Sequence, residues 1–364
     1  MSDTEIHPEE QGSSAPRRAA GRPPRSRASR RKGVWIALGA LALIIAVLAG
    51  IGAVYYGNLK HSFESKSHKL EDVFPDEASR PSKDGKSMNI LLLGSDKRPQ
   101  PVEKKDAVPG GGADERSDSI MLVNISGDRK HVTVMSIMRD LWVDVPGHGK
   151  SKVNAGYAYG GRKLEVQTIE NLLKTRIDHV AVVDMGSFKA FGDSLGGLDV
   201  NVEKRTPMTR SNGSQFVLEP GKHHMDGGLA LAFSRERKVY ANGDYQRVRN
   251  QQAVMRAIMA KLITKDTMTD PRKIQSVVDE TSPYISIDKQ FTFDDMTKLA
   301  LSLRGLKTSD IEFATMPTAG IGWSDDGQSI VQVDEKGLAS VQKALKEDKM
   351  HDWLSSPENH EKGK

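Results

Sequence analysis

Short apolar runs alternate with helix-period segments along most of the chain. Asn89 to Leu93 is apolar and closes on Gly94, as a buried strand would. Ser119 to Ile125 and Val132 to Met138 repeat that pattern, and Trp142 to Val145 alternates into the turn Pro146-Gly147-His148-Gly149. His179 to Asp184, Leu198 to Val202, Ile311 to Thr315 and Ser329 to Val333 read as further strands. Helical spacing predicts helices over Leu164–Lys174, Ser187–Ser194, Gly228–Phe233, Tyr245–Ile263, Phe293–Leu303 and Glu335–Lys346. In the fourth of these, Val254, Ile258 and Leu262 recur every four residues. Strands alternating with helices predict an open α/β sheet, in which strand ends and the loops feeding them form the ligand crevice.

One apolar run has another meaning. Val34 to Val54 is uncharged for 21 residues and is followed by Tyr55-Tyr56. As a helix it would be ~32 Å long, the thickness of a bilayer core. Trp35 and the two tyrosines stand at its ends, where aromatic belts lie. Residues 17–32 before it hold Arg17, Arg18, Arg22, Arg25, Arg27, Arg30, Arg31 and Lys32 without an acid, placing the N-terminus in the cytoplasm. The run exceeds a usual signal-peptide core, and no clear small-residue cleavage site follows. The expected plan is a disordered basic tail (1–33), a transmembrane helix (34–56), a juxtamembrane stalk (57–87), a domain (88–350) and a frayed tail (351–364). The domain would lie outside the cell membrane. The position of the basic tail makes it a topology determinant and argues against nucleic-acid binding.

Charge and composition narrow the chemistry. The 364 residues carry a net charge of +5 and no cysteine, which excludes disulfides and thiolate metal sites. His223, His224 and Asp226 lack a third ligand at usual spacing and read as turn residues before a helix. The densest chemistry is in Leu229 to Gln252, with Arg235, Arg237, Lys238, Arg247 and Arg249 against Glu236 and Asp244. Arginine forks grip phosphate oxygens two at a time, so clustered arginines point to phosphate recognition. The stretch reads as helix, loop with Asn242-Gly243, then helix. Arg247 and Gln251 share a helix face; Arg249 lies roughly 200° away from Arg247 and is expected outside the site. Asp96, Arg116, Asp118, Arg139 and Asp140 fall near strand ends, with Lys152 and Asn154 following a turn. Asp96 and Asp118 suit Mg²⁺ bound by carboxylates plus substrate phosphates, or else cap turns. Arg116 pairs with Asp140 or touches phosphate; both alternatives stay open. Asp244 either orients an arginine or accepts a proton.

Taken together, NILLLGSD (89–96), RSDSIMLV (116–123), SIMRDLWVDVPGHGKSKVNAGYAYGG (136–161), DHVAVVDMGSFKAFGDSLGGLDVNV (178–202) and HMDGGLALAFSRERKVYANGDYQRVRNQQ (224–252) resemble the LytR-CpsA-Psr family of envelope glycopolymer transferases. Met138 stands where many members have Pro before Arg-Asp, and Asn250 where many have Arg. The resemblance implies an α/β/α sandwich with a central mixed β-sheet and an apolar tunnel for a polyprenyl chain, capped by an arginine-lined pyrophosphate site. It implies transfer of a polyprenyl-pyrophosphate-linked glycopolymer to peptidoglycan through a phosphodiester, and the paired Asp96 and Asp118 make Mg²⁺ or Mn²⁺ the expected cofactor. Catalytic roles would fall to Arg139, Arg235, Arg237, Arg247, Gln251 and Asp244, substrate binding to Arg116, Asp140, Lys152 and Asn154, and metal binding to Asp96 and Asp118. Two other classes compete. One is a non-catalytic envelope protein that binds anionic polymer or lipid pyrophosphate; the other is a polyprenyl-pyrophosphate hydrolase.

Overall fold

The structure is a computed structural model describing residues 50, 52–83, 85–95, 117, 119–184, 186–209, 213–240 and 243–356. The fold described here lies within the compact unit Asn58–Lys364. Its elements, in order, are α1 (from 58 to 66 within this unit, the helix being described from 52), β1 (His68–Leu70), β2 (Met88–Ser95), β3 (Ser119–Ile125), β4 (Val132–Ile137), β5 (Trp142–Val145), β6 (Gly149–Lys152), α2 (Ala155–Leu173), β7 (His179–Asp184) and α3 (Gly186–Ser194). Then follow β8 (Leu198–Val202), β9 (Thr206–Thr209), β10 (Gln215–Leu218), β11 (Gly221–Met225), α4 (Gly227–Arg235), α5 (Gly243–Leu262), α6 (Lys265–Met268), α7 (Pro271–Thr281), β12 (Ile285–Asp288) and α8 (Phe293–Ser302). The chain closes with β13 (Ile311–Thr315), β14 (Thr318–Trp323), β15 (Ser329–Val333), α9 (Glu335–Lys346) and α10 (Met350–Ser355).

Seven strands form one mixed sheet in the order β1-β12-β7-β2-β3-β4-β13. β1/β12, β7/β2 and β4/β13 are parallel, and the other neighbours antiparallel. Alternate residues of the central strands point to opposite faces. Leu91, Leu93, Ile120, Leu122, Met135 and Ile137 pack in one core with Val166, Ile169 and Leu173 of α2 and Leu338, Val341 and Leu345 of α9. Ile90, Met121, Ile125, Val132 and Val134 face the other way, onto Met255 and Met259 of α5 and Met296 and Leu299 of α8. Both faces are therefore covered, and β4 is buried along its whole length. This is the expected three-layer α/β/α arrangement. A third apolar cluster joins β8, β11, α3, α4 and α5.

Four expectations change. Residues 57–87, read as a stalk, contribute α1 and β1 to the domain, with Leu59 and Phe63 of α1 buried. Arg80 in the same region donates through Nε and Nη2 to Glu170 of α2 at 3.1 and 2.8 Å, beneath the ring of Phe74. Glu170 also accepts the Ile177 N–H at 2.9 Å. A polar, weakly periodic sequence hides such an anchor because the buried partners are charged. His223 and His224 lie on β11 rather than in a turn; β11 pairs with β8, and His224 Nδ1 is 2.9 Å from Asp199. α2 starts at Ala155, earlier than Leu164, and passes a break at Gly160 and Gly161, where Gly161 has φ 64°. Finally, the tail expected to begin at 351 is helical through Ser355, with Trp353 and Leu354 buried. Most of Val34–Val54 lies outside the described residues, and no described helix is long and apolar enough to cross a membrane.

Candidate functional site

Three segments meet beyond the C-terminal end of β4, two of them close in sequence and the third about 90 residues on. The first is the tight turn after Met138, which carries Arg139 and Asp140. It is held by Leu141 N–H to the Met138 carbonyl at 3.0 Å and Val331 N–H to the Asp140 carbonyl at 2.9 Å. The buried Leu141 side chain fixes its far edge. The second is β6, whose last residue, Lys152, reaches Asp140 Oδ1 at 3.3 Å. Asn154, buried just beyond it, donates its backbone N–H to the Arg139 carbonyl at 3.3 Å.

The third segment is the α4–α5 junction. α4 begins under a side-chain cap, Asp226 accepting the Leu229 N–H at 2.7 Å. The chain leaves it at Glu236, whose carboxylate accepts the N–H groups of Arg237 and Lys238, both at 2.9 Å. Asn250 of α5 donates to the Phe233 carbonyl at 3.1 Å, so the residue at this departure from the family pattern ties α5 to the end of α4. Gln252 anchors α5 to the sheet, donating to Ser136 Oγ and the Ala314 carbonyl, both at 2.9 Å. Gly243 opens α5. A Cβ there would lie 2.5 Å from the Arg237 carbonyl oxygen, so only glycine lets the link pass this close.

Asp244 is the centre of the assembly. Its carboxylate lies 3.5 Å from Arg139 Nη2, 3.6 Å from Arg237 Nη1 and 3.4 Å from Arg247 Nη2. Burial alone would push its pKa up. A hydrogen bond with Asp140 and the charges of Arg247, Arg139 and Arg237 outweigh burial and hold it below the usual carboxylate range. Arg139 also approaches Asp140 at 3.6 Å. Six residues, Arg139, Asp140, Lys152, Arg237, Asp244 and Arg247, thus form a continuous charged network with an excess of cations. Gln251 is buried one helical turn beyond Arg247. Arg235 is exposed on the last turn of α4 and is not among the ion-pair partners of Asp244. Arg249 points elsewhere: its Nε lies 3.4 Å from Gln246 Oε1 and 3.8 Å from Glu203.

Asp96, Arg116 and Asp118 lie outside the described residues. The register pairs Gly94 with Ser119 and Ile137 with Ile120, so the described chain just before Asp96 and just after Asp118 arrives at the end of the sheet that carries Arg139. Among the described residues, no group of three or more acids and histidines is set to hold a metal.

Beside this end, Leu92, Met121, Val183, Phe188 and Met255 line an apolar cavity of about 40 Å³. That is room for about one small group. Met255, Met259 and Met296 along the same face are unbranched and adaptable. Asp184 Oδ2 and Ser187 Oγ are buried at the cavity without a hydrogen-bond partner among the described residues.

Sequence reasoning passed over Glu165. It is fully buried on α2, accepts the Ser117 hydroxyl, and its pKa is pushed up to about 8 by burial, against the hydrogen bond from Ser117 and the charge of Arg162. The signal was present in the helical phase: Glu165, Ile169 and Leu173 fall four apart on the buried stripe.

Residues 53–347 match the LytR_cpsA_psr family. The chain is 30% identical over 317 residues to the polyisoprenyl-teichoic acid–peptidoglycan teichoic acid transferase TagU of Enterococcus faecalis (strain ATCC 700802 / V583), covering 85% of this chain and 95% of that one. It is 32% identical to the regulatory protein MsrR of Staphylococcus aureus (strain Mu50 / ATCC 700699), over 71% of this chain and 74% of the relative. Among solved structures, B. subtilis TagV superposes with a TM-score of 0.59 at 25% identity, covering 72% of this chain and 97% of that one.

Proposed function

The chain belongs to the LytR_cpsA_psr family, and on that premise we propose that it transfers a glycopolymer from a polyprenyl-pyrophosphate carrier to peptidoglycan. The observation that carries the reading is Asp244 held among Arg139, Arg237 and Arg247, brought from two separate parts of the chain to one sheet end. The activity named for the TagU relative agrees with it.

Phosphoryl transfer asks a protein mainly for positioning and charge neutralisation. Arg139, Arg237 and Arg247, with Lys152 at the rim, would take the pyrophosphate oxygens, and Arg235 would join from the exposed end of α4. The acceptor hydroxyl oxygen attacks the phosphorus that bears the glycopolymer. The bond from that phosphorus to the bridging oxygen breaks, and polyprenyl phosphate leaves with the bridging oxygen. The hydroxyl proton goes to Asp244. A carboxylate held below its ordinary range is a weaker base while three guanidiniums face it. Once the pyrophosphate draws those guanidiniums to itself, Asp244 loses part of their field and becomes more basic. Substrate binding would thereby switch on the base.

Asp96 and Asp118 offer the hard oxygen donors that suit Mg²⁺ bound by one or two carboxylates plus phosphates. When bound there, Mg²⁺ would neutralise pyrophosphate charge. The apolar face between the sheet and α5 would receive the polyprenyl chain. The cell membrane would hold the protein through residues 34–56, with the domain outside.

The test is to supply a synthetic polyprenyl-pyrophosphate glycan with peptidoglycan fragments and determine the product by mass. A phosphodiester-linked adduct is expected. Free glycan phosphate even with acceptor present would mean hydrolysis. Tight binding without turnover would leave a carrier-binding regulatory protein.

A further inference from the structure

The end of the sheet opposite the arginine cluster also carries mostly positive charge, and no step above uses it. β4 starts there after His131 and reaches Arg139 roughly 25 Å away. β13 runs parallel to β4, so the α8–β13 connection lies at the same end. Between that connection and the β3–β4 turn opens a cleft of about 630 Å³, lined by Arg129, Lys130, Arg304 and Lys307 among others. Its two acids mainly serve their own turns, with Lys130 Nζ also 3.9 Å from Asp128. Asp128 accepts the Ser126 hydroxyl at 2.7 Å and the Lys130 N–H at 3.0 Å; Asp310 accepts the Lys307 N–H at 2.8 Å. Arg304 is exposed and makes no ion pair among the described residues. Leu301, on the cleft wall, is 59% exposed.

The chain enters the unit at this same end. Lys60 of α1 pairs with Asp294 at 3.0 Å, and Phe63 packs on Phe293 with ring centroids 5.6 Å apart, both at the start of α8. Phe291, just before α8, stacks at 4.0 Å on His179, the first residue of β7. β7 is parallel to β2, and β2 and β4 are both antiparallel to β3, so β7 and β4 begin at one end. Four residues before Asn58 stands Val54, the end of the apolar run read as a membrane span.

We propose that the cleft is a contact surface for anionic phospholipid headgroups. Arg129, Lys130, Arg304 and Lys307 meet headgroup phosphates, Leu301 enters the interfacial layer, and the arginine cluster faces away from the bilayer. The proposal rests on the reading of residues 34–56 as an anchor. Charge complementarity and the entry point of the chain select lipid over a soluble polyanion. Basic residues flanked by an exposed aliphatic side chain are the composition of interfacial contacts. Each cation near an anionic leaflet favours contact by about fivefold, so Arg129, Arg304 and Lys307, which unlike Lys130 make no ion pair among the described residues, supply on the order of a hundredfold.

The absence of cysteine allows a single-label test on the full chain. Ser302→Cys, exposed at the cleft, is labelled with a fluorophore, and the protein is reconstituted in phosphatidylcholine vesicles with or without phosphatidylglycerol and a headgroup-attached quencher. Strong quenching is expected only with phosphatidylglycerol, and it should vanish in an Arg129→Glu, Arg304→Glu, Lys307→Glu background. A label at Lys238→Cys, beside the arginine cluster, should stay unquenched in both lipids. Equal signals from position 302 in the two lipids would overturn the proposal. So would relief of quenching by soluble polyphosphate beyond that of sodium chloride at matched ionic strength, which would assign the cleft to a free polyanion. Flotation with pure phosphatidylcholine vesicles tests the anchor separately. A chain that does not float defeats the anchor reading; one that floats with position 302 unquenched defeats the headgroup contact alone.

Discussion

Asp244→Asn removes the charge that, among the described residues, all three arginines share, while keeping the side chain's shape. At 3.4 to 3.6 Å and an effective dielectric near 20, each pair carries a Coulomb attraction of ~4–5 kcal/mol before desolvation. The realised value is smaller. Arg237 is 46% exposed, so its pair is worth at most ~1 kcal/mol. Arg139 and Arg247 are 19% and 9% exposed and lose more. Breaking a fully buried pair costs 3–5 kcal/mol, and a carboxylate 26% exposed should cost about 2. The variant should therefore remain folded but melt several degrees lower, read by thermal denaturation. Anion binding should move the other way. With the internal competitor gone, calorimetry should find pyrophosphate bound up to about tenfold more tightly. Turnover with the polyprenyl-pyrophosphate substrate should fall by at least a hundredfold, within the 10²–10⁴ typical of a lost general base. Tighter pyrophosphate binding combined with lost turnover is the distinguishing pair. Turnover within threefold of wild type would refute the assignment of Asp244 as base, whatever the melting temperature did. Wild type should also show an acid-side loss of stability. Because the folded pKa is depressed, the contribution is present above the unfolded carboxylate value and disappears as pH falls through the folded one. Asn at 244 should lack that component.

Arg80→Ala would strand the buried Glu170 carboxylate and should cost ~3–5 kcal/mol in a denaturant melt; a change below 1 kcal/mol would mean that residues 57–87 are the detachable stalk expected from sequence. Arg247→Lys keeps the charge but loses the planar fork, and should lower turnover by about ten- to a hundredfold, whereas Arg249→Lys, facing Glu203, should leave turnover within about twofold; equal effects on kcat would show that the helix faces are misassigned. Glu165, with its pKa raised to about 8, is protonated in the fold where the unfolded chain is ionised, so stability should fall by up to ~1.4 kcal/mol per pH unit between about pH 4.5 and 8. Glu165→Gln should flatten that part of the profile, and an unchanged slope in the variant would place the titration elsewhere.

The parts of this architecture that were legible in the sequence are those written in local periodicity. β2, β3, β4 and β7 are continuous apolar runs because both faces of the sheet are covered, and their ends were readable to within a residue or two. The charged network was legible for a related reason. Arg247 and Gln251 on one helix face and Arg249 off it follow from 3.6 residues per turn, as the structure has them. What escaped depends on partners far away in sequence. Arg80 looks like a solvated charge until Glu170 meets it 90 residues later. Asn250 looks like a lost arginine until the Phe233 carbonyl supplies its use. Strand order, which sets the two charged clefts at opposite ends of β4, is a product of pairing and leaves no local pattern.

Gly243 carries a consequence for how variation in this protein should be interpreted. It has no charge and no side chain to reach a phosphate, yet the clearance at its α-carbon sets how near Arg237 comes to Asp244. One added methyl group would meet the Arg237 carbonyl oxygen at 2.5 Å, closer than real Cβ contacts come, and the link would have to retreat. An electrostatic device is thus held to tolerance by an absence of volume. A survey of variants that scores only gained or lost charge would grade Gly243→Ala as silent, while the spacing of the guanidiniums, and with it the base they restrain, would already have changed.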